Sequence, residues 1–125
     1  MKAIILVAMG GSVGAVLRYG ISKLADNSFG PSFPYGTLIV NILGSFLLGA
    51  LLVETGRAPI SPELKLVVGT GLCGSLTTFS TFSVQSLAFA ERQQWGAFAL
   101  NIGLNLGLGF AAAMAGIALI KALNG

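Results

Sequence analysis

The sequence predicts an all-α membrane protein with four transmembrane helices in a single domain that covers residues 1–125. Of the 125 residues, 54% are hydrophobic and 9% are charged, whereas a soluble domain of this length needs far more charge to cover its surface. The mean hydropathy is +0.87. The apolar residues form four runs, at about 3–24, 36–53, 64–90 and 95–123. Each run is long enough to cross the roughly 30 Å hydrocarbon core of a bilayer as a helix.

The segments between the runs support these four helices. The first run begins after Lys2 and continues past Ala15, where the small residues of a signal peptide would be cleaved, so we expect it to be retained as a helix. Segments 26–36 and 54–63 each contain two prolines, which interrupt helices. The third link is the polar stretch ERQQ at 91–94, and the fourth run opens with Trp95, a residue typical of the membrane interface.

The residue inventory excludes most catalytic chemistry. The chain has no histidine and a single cysteine, Cys73, so it cannot form an intramolecular disulfide, a Cys/His zinc site or a nucleophile paired with histidine. The four acidic residues fall at the ends of runs or between them: Asp26, Glu54, Glu63 and Glu91. We therefore expect neither an enzyme nor a transporter that couples through a carboxylate in mid-membrane.

The basic residues give only a weak orientation signal. Four lie on the side of the membrane that holds the amino terminus: Lys2, Arg57, Lys65 and Lys121. Two lie on the opposite side, Lys23 and Arg92, or three if Arg18 inside the first run is counted with them. Cytoplasmic loops usually carry a clear excess of Lys and Arg, so a chain this balanced is expected to insert in both orientations. The predicted assembly is an antiparallel, dual-topology homodimer, which would also supply packing surface that four helices alone lack.

Arg18 is the one charge placed well inside a run. It lies roughly 22 Å along the first helix from Ala3, at about 1.5 Å per residue. Its side chain either snorkels to the interface beside Lys23 or lies at the foot of a water-filled vestibule, where it raises the local concentration of anions. The two interpretations are compatible, and the sequence leaves both open.

Small residues recur at four-residue spacing within the runs. Such pairs let helices approach closely in a membrane, and tight packing is the first interpretation of each. The pairs are Gly10 with Gly14, Ser45 with Gly49, and Gly103 with Gly107.

Two runs also carry a polar stripe. In the second run the stripe is Thr37, Asn41 and Ser45, and in the fourth it is Asn101, Asn105 and Gly109. A spacing of four places each set on one helical face. Either the side chains hold helices together through hydrogen bonds, or they line a pathway for a polar solute.

The third run contains the string TGLCGSLTTFSTFS at 70–83. Gly71 and Gly74 weaken a helix just where Ser75, Thr77 and Thr78 can compete for backbone hydrogen bonds. We therefore predict a break near mid-membrane, where released carbonyl oxygens commonly coordinate cations. In an antiparallel dimer, two carbonyls from each subunit would give four hard oxygen ligands, which suit Na⁺ better than a transition metal.

After the predicted break, Phe79 and Phe82 are three residues apart and share a helical face. Aromatic ring edges are electropositive, and nearby hydroxyls, including those of Ser80 and Thr81, can donate hydrogen bonds. Together they would replace part of the hydration shell of a small anion without a full charge that would trap it. The alternative is that the rings fill space and the hydroxyls bond back to the preceding turn.

Three strings of this chain resemble the Fluc (CrcB) fluoride channel family. They are GGSVGAVLRY in the first run, PYGTLIVNILGS in the second and TGLCGSLTTFSTFS in the third. The resemblance implies antiparallel dual-topology dimers with two fluoride pathways and a central structural Na⁺. Its carbonyl ligands would come from Gly74 and Thr77 of each subunit.

The resemblance also implies roles for individual side chains. Phe79 and Phe82 would form the aromatic lining of each fluoride pathway, and Ser80 and Thr81 would be hydroxyl donors beside it. The remaining assignments place Asn41 pointing toward the rings, Thr37 at the mouth of the same polar face, Arg18 in the vestibule and Asn105 in the outer polar track.

The sequence departs from the family pattern at three positions. Gln85 stands where the family often has an acid, and Asn105 and Gly109 stand where it has hydroxyl side chains. Because of Asn105 and Gly109, the sequence leaves the details of the outer polar track undecided. Because of Gln85, any role of a carboxylate at that position is absent or unnecessary in this chain.

The predicted function is a passive fluoride-selective channel in a microbial plasma membrane that lets fluoride leave the cytoplasm. One alternative is a small dual-topology drug/proton exporter, which would need the mid-span carboxylate that this chain lacks. The other is a non-transporting membrane assembly subunit, which would explain the glycines but not the concentration of rings and hydroxyls.

Overall fold

A computed structural model describes residues 1–53 and 59–125, and every regular element in these two ranges is helical. The described helices are α1 (Lys2–Phe29), α2 (Tyr35–Leu52), α3 (62–76), α4 (Phe79–Glu91) and α5 (Trp95–Asn124). Four spans are long and apolar enough to cross a membrane, with α3 and α4 forming the third. The all-α class is confirmed. Two residues of the charge argument, Glu54 and Arg57, lie outside the described ranges.

The first helix continues five residues beyond the predicted run. No proline interrupts it before Phe29, and it ends at Gly30, whose φ of 78° is readily adopted only by glycine. The Gly30 N–H donates to the carbonyl of Asp26 at 2.9 Å, which closes the last turn.

Helix α1 packs chiefly against α3, and α2 chiefly against α5. At Gly10, an added Cβ would overlap the carbonyl oxygen of Val67, so only glycine permits this approach of the two backbones. The hydroxyl of Ser75 also donates to the carbonyl of Gly11 at 2.8 Å. The first span is thereby fixed against the segment that precedes the break.

The other two small-residue pairs behave differently from each other. A Cβ on Gly49 would overlap the backbone of Ala113, so this position supports close packing of α2 on α5. At Gly103 and Gly107 a Cβ would meet no atom of the described chain within 4 Å. The described helices of this chain therefore make no close approach at this pair, because the two glycines lie on a face of α5 that its neighbours leave open.

The third span is interrupted, as predicted, and the break falls at two of the threonines named for it rather than at the glycines. Residues Lys65–Cys73 are π-helical, and Gly74 itself keeps helical dihedral angles. The chain is extended only at Thr77 (φ −76°, ψ 155°) and Thr78 (φ −148°, ψ 114°), after which α4 begins at Phe79. Glycine loosens the segment but does not set the position of the break.

Candidate ion pathway

The break in the third span is held from α2 by a single side chain. The Asn41 amide oxygen accepts from the N–H of Thr78 at 2.8 Å, and its amide nitrogen donates to the Thr78 carbonyl at 3.3 Å. Asn41 thus pairs with both polar groups of one residue, as a neighbouring strand would, and satisfies backbone that the helix no longer pairs. Gly44, one turn later, has room for no side chain because the Thr77 methyl group lies against it.

Helix α4 begins at a side-chain cap. The Thr78 hydroxyl oxygen accepts from the N–H of Thr81 at 3.2 Å and donates to the Thr81 hydroxyl at 3.0 Å, which satisfies a free amide of the first turn. In the second of these bonds the Thr81 hydroxyl oxygen is the acceptor, so the Thr81 hydroxyl proton remains available to donate to another group. Ser80 lies 3.4 Å from the Thr78 hydroxyl. Ser80 and Thr81 are both exposed on the described chain.

Several carbonyls at the break, including those of Gly74 and Thr77, lose the amide that a continuous helix would give them. The N–H four residues after Gly74 belongs to Thr78 and donates to Asn41, and the N–H four residues after Thr77 belongs to Thr81 and donates to the Thr78 hydroxyl. The carbonyl oxygens of Gly74 and Thr77 are therefore deprived of their helical donors. Within the described ranges no group of three or more His, Cys, Asp or Glu residues could hold a metal ion, so a cation here would depend on such backbone oxygens.

The aromatic pair lies directly after the break. The rings of Phe79 and Phe82 have centroids 5.7 Å apart and planes inclined at 51°, a tilted contact that aromatic pairs favour. The Phe79 side chain is 78% exposed. The first turn of α4 therefore presents an aromatic surface beyond the contacts of a single subunit.

A cleft of about 330 Å³ joins the break to the aromatic pair. None of its described lining residues carries a charge, and they come from α2, α3, α4 and α5. The predicted site residues that line it are Asn41, Gly74, Thr77, Phe79, Phe82 and Asn105. Residues predicted from three separate stretches of sequence therefore share one cavity.

The structure does not bring every predicted residue to this cleft. Thr37 is 5% exposed on α2, one turn before Asn41, and Arg18 is half-buried on α1. Neither is among the described residues that line the cleft, nor are Ser80 and Thr81.

Two further residues join the site through hydrogen bonds. Asn105 accepts from the Asn41 amide at 2.9 Å and donates to the backbone and side-chain oxygens of Asn101, at 2.9 and 3.1 Å. Asn101 in turn donates to the Ser86 hydroxyl at 3.0 Å. The polar spacing of the fourth run pointed to Asn101, although we did not predict it as a site residue, and sequence reasoning missed Ser86.

Gln85 is the one described residue with a buried side-chain oxygen that lacks a hydrogen-bond partner. It is one helical turn after Phe82 on α4. An uncharged amide thus occupies the position where the resemblance had suggested an acid.

Comparisons with known proteins match nearly the whole chain. A family model described as CrcB-like protein, Camphor Resistance (CrcB), matches residues 5–117, a range that includes the entire cleft. A protein of Shewanella sp. (strain ANA-3) named fluoride-specific ion channel FluC is 53% identical over 108 residues, 86% of this chain and 87% of the relative. Proteins of the same name from Shewanella oneidensis and Shewanella baltica (strain OS185) are 52% identical over the same length.

Proposed function

Because this chain belongs to the CrcB family, we propose that it forms a passive channel selective for fluoride. It is a multi-pass protein of the inner membrane, with four helices that can span the bilayer. The observation that carries the proposal is the uncharged cleft in which a helix break, an aromatic pair and amide side chains meet.

The chemistry of this cleft suits a small anion. Ring edges carry partial positive charge. The hydroxyls of Ser80 and Thr81 are exposed on the first turn of α4, outside the described lining of the cleft, and would donate hydrogen bonds to an ion that passes beside that turn. Partial charges of this kind replace hydration without holding the ion as a fixed cation would, so the ion can enter and also leave. An inside-negative potential then drives an anion outward, by about 2.3 kcal/mol per 100 mV, and no coupled proton is needed.

The resemblance implied that Asn41 points toward the rings, and Asn41 lines the cleft together with both of them. Both of its N–H groups are engaged, one with Asn105 and one with the Thr78 carbonyl. In this arrangement Asn41 supports the pathway by holding the break rather than by offering a free donor to the ion. The exposed hydroxyls of α4 supply those donors instead.

We further propose that two subunits assemble antiparallel around one structural Na⁺. The Gly74 and Thr77 carbonyls, deprived of their helical donors by the contacts at Thr78, fit a hard cation that prefers oxygen ligands. Bound there, Na⁺ would supply positive charge that keeps the two breaks together. The high exposure of Phe79 and the open glycine face of α5 give a partner subunit a surface to cover.

The test is a flux measurement on purified protein in liposomes loaded with fluoride or chloride. We expect fluoride efflux after a potassium ionophore is added, little chloride efflux, and no response to an imposed proton gradient. Phe82→Ile should strongly reduce the fluoride rate, whereas the control Phe98→Ile, which alters a half-buried ring outside the cleft, should leave it unchanged. Exchange of a cationic substrate for protons would instead support the exporter, and absence of any flux from folded protein would support an assembly subunit.

A further inference from the structure

We propose that Asn101 and Ser86 are positioning residues of the pathway, because they complete a hydrogen-bond circuit that holds the turn bearing the aromatic pair. The proposal rests on the fluoride channel proposed above. We define the circuit by its members, which are Thr78, Asn41, Asn105, Asn101, Ser86 and the carbonyl of Phe82.

The circuit passes through three helices and returns to the one where it began. It leaves Thr78 through Asn41 on α2 and crosses to Asn105 on α5. One turn earlier on α5, Asn101 returns it to α4 by donating to the Ser86 hydroxyl. Ser86 then donates to the Phe82 carbonyl at 2.8 Å.

Both ends of the circuit lie on the same turn of α4. Thr78 caps that turn, and the Phe82 carbonyl lies four residues later, so Phe79 and Phe82 lie within the closed loop. Movement of either end changes the spacing or inclination of the two rings. The circuit therefore links the geometry of the aromatic pair to amides on other helices.

The members that we assign as positioning residues do not touch the cleft. Asn101 is fully buried, Ser86 is 4% exposed, and neither is among the described residues that line the cleft. The hydrogen bonds of the circuit also depend on one another. When the oxygen of an amide side chain accepts a hydrogen bond, the orientation of the whole amide is set, and with it the direction in which its nitrogen donates. An unpaired amide in an apolar interior is costly, so we expect loss of one member to rearrange its neighbours.

The test compares Asn101→Ala and Ser86→Ala with Ser12→Ala in the liposome assay. Ser12 is a matched control because its hydroxyl also bonds the carbonyl four residues earlier at 2.8 Å, but on α1. At less than one channel per vesicle, the fraction of vesicles that empty reports how much protein is folded, and the rate of emptying reports the conduction of each channel. A purely structural role lowers only the fraction, whereas a positioning role also lowers the rate.

We expect both variants to lower the rate per channel by about tenfold or more, which corresponds to about 1.4 kcal/mol, while Ser12→Ala keeps the wild-type rate. The double variant should be no slower than Asn101→Ala, since the circuit is already open. Should Asn101→Ala fail to fold, Ser86→Ala carries the test. Wild-type rates in the folded variants, or rate losses that multiply in the double variant, would overturn this inference alone. Absence of flux in the wild-type protein would instead overturn the proposed function.

Discussion

Replacement of Asn41 by alanine tests the claim that one side chain on α2 holds the break. The substitution removes three hydrogen bonds, two to Thr78 at 2.8 and 3.3 Å and one to Asn105 at 2.9 Å. Side-chain hydrogen bonds between membrane helices contribute about 0.6 kcal/mol on average and about 1.7 at most. Three of them give a loss of about 2 to 5 kcal/mol in the free energy of unfolding. The upper part of that range applies if Thr78, which is 7% exposed, finds no other partner.

Equilibrium unfolding in mixed micelles measures this loss, followed by the circular dichroism of the helices. The matched control is Asn124→Ala, since the Asn124 amide bonds the carbonyl of Ile120 on its own helix rather than another helix among the described residues. We expect the control to change the free energy of unfolding by less than about 0.5 kcal/mol and Asn41→Ala to lower fluoride flux as well. If the two substitutions cost the same, or if Asn41→Ala conducts normally, the break is held by some other contact and the reasoning fails.

Two further substitutions and one ion replacement test the remaining packing and cation claims. Gly10→Ala should lower the melting temperature in detergent, because overpacking against the Val67 carbonyl costs about 1 to 3 kcal/mol. Gly20→Ala, on the same helix with open space around it, should be neutral or slightly stabilising, and equal effects would contradict the close approach of α1 and α3. Replacing Na⁺ by N-methylglucamine throughout purification should lower both the flux and the melting temperature. Protein that is indifferent to Na⁺ would count against cation binding at the carbonyls of Gly74 and Thr77.

Much of the site follows from local sequence. The spacing of Phe79 and Phe82 predicted a ring pair on one helical face, and the rings are in contact. The four-residue spacing of Asn41 and Asn105 within their stripes predicted that each faces other helices, and the two amides bond each other. The spacing left open whether these asparagines are glue or pathway, and the structure indicates that they hold helices together at the edge of the cleft.

Other features depended on contacts that no local pattern encodes. Arg18 and Thr37 matched the family strings, and neither is among the described residues that line the cleft. The residues near Ser86 in the sequence all belong to its own helix, whereas its hydrogen-bond partner Asn101 lies 15 residues away on another helix. A serine in a helix usually bonds the preceding turn, so its sequence surroundings could not reveal the second bond.

By itself, the sequence determined that this protein lies in a lipid bilayer, that it has four helical spans and that the third span is broken. Runs of apolar residues and helix-weakening glycines act over one helix, so their effects can be read locally. The tertiary structure alone decided that Asn41 pairs with Thr78 at the break, because that amide comes from 37 residues earlier in the chain. A hydrogen bond between helices exists only once those helices pack, so no local sequence pattern could reveal the contact between Asn41 and Thr78.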